Sequence, residues 1–307
     1  MGLFKFLKKK NTITGRAAPA EEKNVVTKTE APVEGVAVKK ADKDTKPITD
    51  KSNMPTEDNM PPTDTAENQP NQTYFGDLEK TGILVDLCSV PHERRDDRWF
   101  HEFMENLPLA SFRTTEQQVL TGPDGFPYLQ LELPEPGVQF QCYVIDNMVY
   151  DFLLTNGLGV AINPSKEQPD WVLTYGDIVN YAIKKDFYNK DTYFNTSGEN
   201  QLVPTEMDNN VMVGQPSEFI LPAPARAVMR SFLEYKQVKD PKVLLMTTTT
   251  PEGREAQDLV FNLTPGDFAS EEAFRATAQQ LQWFLPRHYS LAFFGENESL
   301  KDYFSPL

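Results

Sequence analysis

The side chains best suited to chemistry are few in this 307-residue sequence, which has three histidines and two cysteines. His92 and His101 are nine residues apart, and on a helix this spacing places them on opposite sides, so they cannot share a metal ion. Asp97 lies four residues before His101, a spacing more typical of a surface pair than of a catalytic dyad. His288 falls at a predicted turn. No metal site or acid–base pair is therefore predicted from the histidines.

Nucleophiles and phosphate-binding loops are equally sparse. Cys88 and Cys142 each lie among apolar neighbours, which is typical of small buried side chains, and only Cys88 has the nearby His and Arg that a reactive thiol requires. Neither a Walker pattern nor a G-x-G-x-x-G sequence occurs, so no phosphate cradle is predicted. The sequence thus predicts no catalytic residue, no metal ligand and no cofactor, and it favours a protein that is not an enzyme.

The first ten residues form the most unusual local pattern. On a helix of about 100° per residue, their four large apolar side chains fall within about 160° and the lysines lie mainly opposite. Such a basic amphipathic segment suits an anionic membrane interface, where each lysine contributes about 1 kcal/mol. The alternatives are an N-terminal segment without function and a helix that packs on the acidic remainder of the same chain. The residues predicted to contact a membrane or partner are Leu3, Phe4, Lys5, Phe6, Leu7, Lys8 and Lys9.

A break in composition separates residues 1–72 from the remainder of the chain. Residues 11–72 are rich in charged residues, Thr and Pro and contain no aromatic side chain, so a disordered linker is predicted. Residues 73–307 contain 18 basic and 34 acidic side chains, a net charge of -16, which argues against nucleic-acid binding. The sequence predicts neither a signal peptide nor a spanning apolar segment. We therefore expect a cytoplasmic protein, peripheral at the inner face of the membrane if residues 1–10 bind there.

Residues 73–200 contain the patterns of one α+β domain. Apolar side chains recur at helical spacing between Pro91 and Asn106. Two runs of alternating apolar residues, 128–133 and 138–144, flank a Pro/Gly turn and predict a hairpin. The other predicted elements are a helix at 147–155 ended by Gly157, strands at 159–162 and 171–175, and a helix at 178–185 capped by Gly176 and Asp177.

Residues 214–307 contain the patterns of a second α+β domain, beyond a polar, turn-rich boundary at 189–215. Their order of helix, strand, strand, helix and strand predicts helices packed on a mixed sheet. The elements are a helix at 222–237, a strand at 243–249 that pairs across a turn at 251–254 with a strand at 258–263, a helix capped by Ser270 that reaches Leu285, and a strand at 289–294.

Four aromatic side chains lie at the end of the first domain in polar, turn-like sequence. Because such a context makes rings hard to bury, they are a candidate contact surface for a ligand or peptide, with core packing as the alternative. They are Phe187, Tyr188, Tyr193 and Phe194.

Two sets of short motifs carry a resemblance to a known family. The first is Gly214-Gln-Pro-Ser-Glu-Phe219 before a helix, the strands 243–246 and 259–263, and the late strand around Leu291. The second is the apolar strand and Asn-Pro of residues 157–164. They resemble the two domains of the bacterial enhanced-serine-sensitivity protein family. The resemblance implies a two-domain cytoplasmic protein without an established activity, and it brings no catalytic residues.

These observations favour a non-enzymatic adaptor that binds another protein and is recruited to the membrane surface by residues 1–10. One alternative is a small-ligand-binding or enzymatic protein with a site between the two domains. A second alternative is an acidic immunity or inhibitor protein, whose charge of -16 over residues 73–307 would cover a basic surface.

Overall fold

The computed structural model describes residues 75–189, 193–194, 211–249, 253, 255–297 and 300–307. The predicted membrane segment, residues 1–10, and the predicted linker, residues 11–72, lie outside the described residues. The described residues form one compact unit. It is an α+β structure with two mixed sheets and helices packed on them, which confirms the predicted fold class.

The first sheet has the strand order β1-β2-β3-β4, with an antiparallel, a parallel and an antiparallel pairing. Its strands are β1 (Arg113–Thr121), β2 (Pro127–Glu132), β3 (Gly159–Ile162) and β4 (Trp171–Leu173). The accompanying helices are α1 (Leu78–Cys88), α2 (Asp97–Asn106), α3 (Ile145–Met148), α4 (Leu154–Asn156) and α5 (Tyr175–Lys184). A π-helical turn, Val149–Leu153, joins α3 to α4.

The predicted hairpin between residues 128–133 and 138–144 is wrong. The antiparallel partner of β2 is β1, and a turn stabilised by the Gly122 N–H bonded to the Phe126 carbonyl joins the two strands. The other edge of β2 is occupied by the parallel strand β3. Strand β1 was not predicted. It is polar and its register shifts between Thr114 and Val119, so its sequence lacks the period-2 alternation of apolar residues that identifies a strand.

The predicted helix at 147–155 and its stop are confirmed. Gly157 has a φ of 65°, the left-handed conformation in which glycine commonly ends a helix. The predicted start of α5 is wrong by three residues, because α5 begins at Tyr175 and its cap is Thr174. The Thr174 hydroxyl accepts from the Asp177 N–H at 3.2 Å, and the Asp177 carboxylate accepts from the Thr174 N–H at 2.8 Å. This reciprocal pair is a capping box.

The second sheet has the order β5-β6-β7-β8, and the short strand β9 also pairs with β6. The predicted pairing of β6 with β7 and the Ser270 cap are confirmed. Two strands were not predicted: β5, which lies inside the predicted boundary at 189–215, and β9, which has only two residues. The strands are β5 (Val211–Gly214), β6 (Lys242–Thr249), β7 (Glu255–Phe261), β8 (Leu291–Phe293) and β9 (Ser305–Pro306); the helices are α6 (Ala223–Tyr235) and α7 (Glu271–Leu281).

The two sheets contribute to one hydrophobic core. The Trp283 ring stacks on Phe126 at 4.2 Å, and its Nε1–H donates to the Tyr128 hydroxyl at 2.7 Å. Tyr175, fully buried at the start of α5, lies 6.1 Å from the same Trp283 ring. Aromatic rings therefore fill this region, where the sequence left open a ligand site between two domains. No helix among the described residues is long and apolar enough to span a membrane.

Candidate functional site

The candidate site is built on α1, which is fixed at both its start and its inner face. The Asp77 carboxylate caps the helix by accepting hydrogen bonds from the Glu79 and Lys80 N–H groups at 2.9 and 3.1 Å. The buried face of α1 consists of Thr81, Leu84 and Cys88. A helix held in this way presents its outer face in a defined orientation.

The outer face of α1 carries apolar side chains in solvent. Leu78 is 72% exposed and Val85 is 42% exposed, and they lie two helical turns apart on the same side. Gly82 lies between them, and a Cβ built there would meet no atom within 4 Å. We call Leu78, Gly82 and Val85 the apolar stripe. Phe75, just before the helix, is also exposed.

Acidic side chains accompany the apolar stripe along one side. Glu79 and Asp86 are exposed, and each follows a residue of the stripe by one position. On a helix they are therefore displaced from the stripe by about 100° in the same direction. An apolar seam with an acidic border is complementary to a surface that has an apolar seam with a basic border.

An open cleft of about 430 Å³ adjoins the C-terminal end of the apolar stripe. Val85 belongs to its lining, and Pro134 and Pro136 supply further apolar surface. Both signs of charge are present, because Lys166 and the exposed Glu135 also line the cleft. The cleft thus extends the exposed apolar surface beyond α1.

Asn163 connects the segments around Leu133 and Asp170 at the wall of the cleft. It adopts the left-handed conformation with a φ of 51°, which asparagine tolerates better than most residues. Its side-chain oxygen accepts from the Leu133 N–H at 2.8 Å, and its Nδ2 donates to Asp170 at 2.6 Å. The neighbouring buried carboxylate of Glu132 accepts from the Ser165 N–H at 3.0 Å. These bonds fix the cleft wall opposite α1.

Asp170 is a buried carboxylate behind the cleft, and three side chains satisfy it. Arg95 donates to Oδ1 at 2.6 Å, while Lys166 and Asn163 donate to Oδ2 at 2.5 and 2.6 Å. The Arg95 guanidinium also lies over the Trp99 ring at 4.5 Å. Arg95 belongs to the charged run 93–98, yet its side chain is only 7% exposed. Its partner lies 75 positions away, so no local signal revealed it.

Burial raises the pKa of Asp170, but the hydrogen bonds from Lys166, Asn163 and Arg95 outweigh this effect and hold the pKa below its ordinary value. The folded pKa thus lies below the unfolded value of about 3.9, and the ionised carboxylate contributes stability above that pH. This contribution is lost as the pH falls through the folded pKa.

Replacing Asp170 with asparagine is expected to lower the free energy of unfolding at pH 7 by about 3 kcal/mol, because Arg95 loses its buried partner. The difference in free energy of unfolding between variant and wild type should become smaller as the pH falls below about 4. Urea denaturation of both proteins at neutral and acidic pH measures this difference. A difference that stays constant across this range would contradict the assigned role of the carboxylate.

The structure separates the four aromatic residues predicted as a contact surface. Phe187 and Phe194 are buried, with Phe187 stacked on Tyr181 and Phe194 stacked on Tyr289. The Tyr188 hydroxyl accepts from Trp171 Nε1 at 3.0 Å within the packed structure. Only Tyr193 of the four is largely exposed, at 70%. The polar sequence around Phe187 and Phe194 therefore did not indicate their burial, and for Phe194 the covering ring of Tyr289 lies 95 positions away.

Cys88, the cysteine with His and Arg nearby in the sequence, is also buried. Burial and the neighbouring Asp170 raise the pKa of the Cys88 thiol to about 12, so this group is protonated at neutral pH and is a poor nucleophile. His92 hydrogen-bonds with the Pro169 carbonyl at 3.2 Å. Within the described ranges, no group of three or more His, Cys, Asp or Glu side chains could hold a metal ion.

The fold and site define an α+β protein with two mixed sheets, a solid aromatic core and an exposed apolar helix face with an acidic border. Comparison of the chain with protein-family models, with curated proteins and with solved structures finds no match. The resemblance to the enhanced-serine-sensitivity family therefore stays a prediction.

Proposed function

We propose that this protein is a non-enzymatic protein-binding module and that its docking surface is the apolar stripe of α1 with the adjoining cleft. The observation that supports this most directly is the exposure of Leu78 and Val85 on one face of a well-anchored helix. Large apolar side chains in solvent carry an unfavourable hydration free energy, which a partner removes when it covers them.

The partner chemistry follows from the shape and charge of this surface. Leu78 and Val85 are separated by about 10 Å along the helix axis, which matches two turns of an opposing helix. Gly82 leaves room between them for a side chain of the partner. Glu79 and Asp86 favour lysine or arginine beside the partner's apolar seam. The proposed occupant is therefore a basic amphipathic helix of another protein.

Recruitment to an anionic membrane by residues 1–10 is the second part of the proposal and rests on the amphipathic sequence alone. In this scheme the N-terminus places the protein at the surface and the α1 face binds the partner there. The two parts are independent, because the docking surface consists entirely of residues after position 74.

Wild-type protein is expected to bind a synthetic amphipathic helix of leucine and lysine. Replacing both Leu78 and Val85 with aspartate should weaken this binding by at least about tenfold, because it removes the apolar contact at the centre of the surface. Isothermal titration calorimetry measures both affinities. Both substitutions lie on exposed positions, so the variant should retain the wild-type unfolding transition.

Tyr235→Asp is the matched control, since Tyr235 is 78% exposed at the end of α6 and lies outside the docking surface. It should bind the peptide with wild-type affinity. A peptide of leucine and glutamate should bind much more weakly, since it places acid against Glu79 and Asp86. Equal binding by the wild type and the α1 double variant would overturn the proposed surface.

A further inference from the structure

A second cluster, distant in sequence from the α1 surface, surrounds a single ammonium group. The Nζ of Lys185 lies 2.7 Å from Asp146 Oδ1, 5.0 Å from the centre of the Tyr181 ring and 5.4 Å from the centre of the Tyr150 ring. Two aromatic faces and a carboxylate around one cation are the groups that bind ammonium ligands in proteins. We call Asp146, Tyr150 and Tyr181 the ammonium site.

The three groups are held in place without help from Lys185. The Tyr181 ring is 5% exposed and stacks on Phe187 at 4.6 Å, and its hydroxyl donates to Asp146 Oδ1 at 2.8 Å. The Tyr150 hydroxyl donates to the Ala182 carbonyl at 2.7 Å, which fixes this ring across α5. Tyr150 lies on the π-helical turn Val149–Leu153, a rare conformation that often occurs at functional sites. The ammonium site is therefore preorganised.

Lys185 occupies the site from an unusual backbone position. It ends α5 in the left-handed conformation with a φ of 56°, where glycine is the usual residue. Its side chain is 56% exposed, so the ammonium group enters the site from solvent and can leave in the same direction. Burial raises the pKa of Asp146, but hydrogen bonds from Lys185 and Tyr181 outweigh it and lower the pKa, so the carboxylate is ionised at neutral pH.

We propose that Asp146, Tyr150 and Tyr181 form a binding site for a protonated alkylamine and that Lys185 is its internal occupant. The Asp146 oxygen accepts an N–H bond at 2.7 Å, so the ligand carries at least one N–H, which a quaternary ammonium lacks. The ligand is either a free amine or a lysine side chain of a partner, and it binds by displacing Lys185. This inference uses none of the residues of the α1 docking surface and stands or falls separately from it.

Lys185→Gly empties the site and places glycine where the backbone favours it. The variant is expected to bind n-butylammonium, which replaces the lost side chain, at least about tenfold more tightly than the wild type does. It should bind tetramethylammonium more weakly than n-butylammonium. NMR titration of the labelled protein measures the three affinities. Tighter binding of Nα-acetyl-lysine amide than of n-butylammonium would assign the site to a lysine of a partner, and the reverse order to a free amine.

Lys184→Ala is the matched control, because it removes the adjacent lysine but leaves Lys185 in the site; it should bind as weakly as the wild type. Adding Asp146→Asn or Tyr150→Ala to Lys185→Gly should abolish the gain. The proposal is overturned if Lys185→Gly binds n-butylammonium no better than the wild type, or if the gain survives both added substitutions. An unchanged unfolding transition of Lys185→Gly confirms that the fold is intact.

Discussion

Replacing Gly176 with alanine is expected to lower the free energy of unfolding by about 3 kcal/mol, the upper end of the range for overpacking. An added Cβ would lie 1.9 Å from the carbonyl oxygen of Leu285 and 2.3 Å from its carbonyl carbon. Both are backbone atoms, which cannot rotate out of the way as a flexible side chain can. The start of α5 would have to move away from the segment around Leu285, and the contacts of Tyr175 with Trp283 and Phe284 would loosen.

Urea denaturation of the wild type and of Gly176→Ala measures this loss. Gly82→Ala is the matched control, because Gly82 lies inside α1 with open space around it. Alanine there should raise the free energy of unfolding by about 0.5–1 kcal/mol through its higher helix propensity. Equal stability of Gly176→Ala and the wild type would show that α5 and the Leu285 segment are not in the close contact described.

Removing the side chain of Arg287 is expected to have a comparable effect. Asp177 is fully buried, and Arg287 pairs with it through two parallel hydrogen bonds of 2.8 Å, from Nε to Oδ1 and from Nη2 to Oδ2. Arg287→Ala leaves the carboxylate without a countercharge, so the free energy of unfolding should fall by about 3 kcal/mol. Thermal and urea unfolding both measure this change. Arg287→Lys retains the positive charge but not the two parallel hydrogen bonds, so its free energy of unfolding should lie between those of the wild type and Arg287→Ala.

Arg275→Ala is the control for Arg287→Ala, because its partner carboxylate is exposed whereas Asp177 is buried. Arg275 and Glu271 lie one turn apart on α7, and both side chains are more than half exposed. Pairs of this kind contribute at most about 0.5 kcal/mol. If Arg287→Ala were as mild as Arg275→Ala, the Asp177 pair would not hold α5 to the chain around Arg287.

Gly176 and Asp177 both link α5 to the chain that follows α7, through Leu285 and Arg287. The sequence reveals neither contact. Asp177 is typical of a helix start, and α5 was predicted from it, although the residue that caps the helix is Thr174. The same Asp177 carboxylate then accepts from Arg287, 110 positions later. A residue type suited to a cap is also suited to an ion pair, and only the approach of the second segment shows that Asp177 does both.

The residues of the proposed docking surface and of the proposed ammonium site were not predicted from the sequence, for different reasons. The period-3.6 pattern identifies apolar faces but not whether a face is covered, so Leu78 and Val85 could equally have faced the core. The ammonium site combines side chains from α3, the π-helical turn and α5, and no sequence signal predicts a π-helical turn at Val149–Leu153. Conversely, the sequence proposed Phe187 and Phe194 as exposed rings, and both are buried, Phe194 against Tyr289 from 95 positions away.

What the sequence by itself determined about this protein is local. Composition and periodicity predict features that depend on residues close together in the chain. These are the helix end at Gly157, the Ser270 cap, the buried strand at 159–162 and the β6–β7 pairing. Only the tertiary structure decided that β2 pairs with β1, that Arg95 and Arg287 neutralise buried carboxylates, and that one face of α1 remains in solvent. These features depend on free energies of burial, pairing and packing between segments far apart in the chain, which no short stretch of sequence contains.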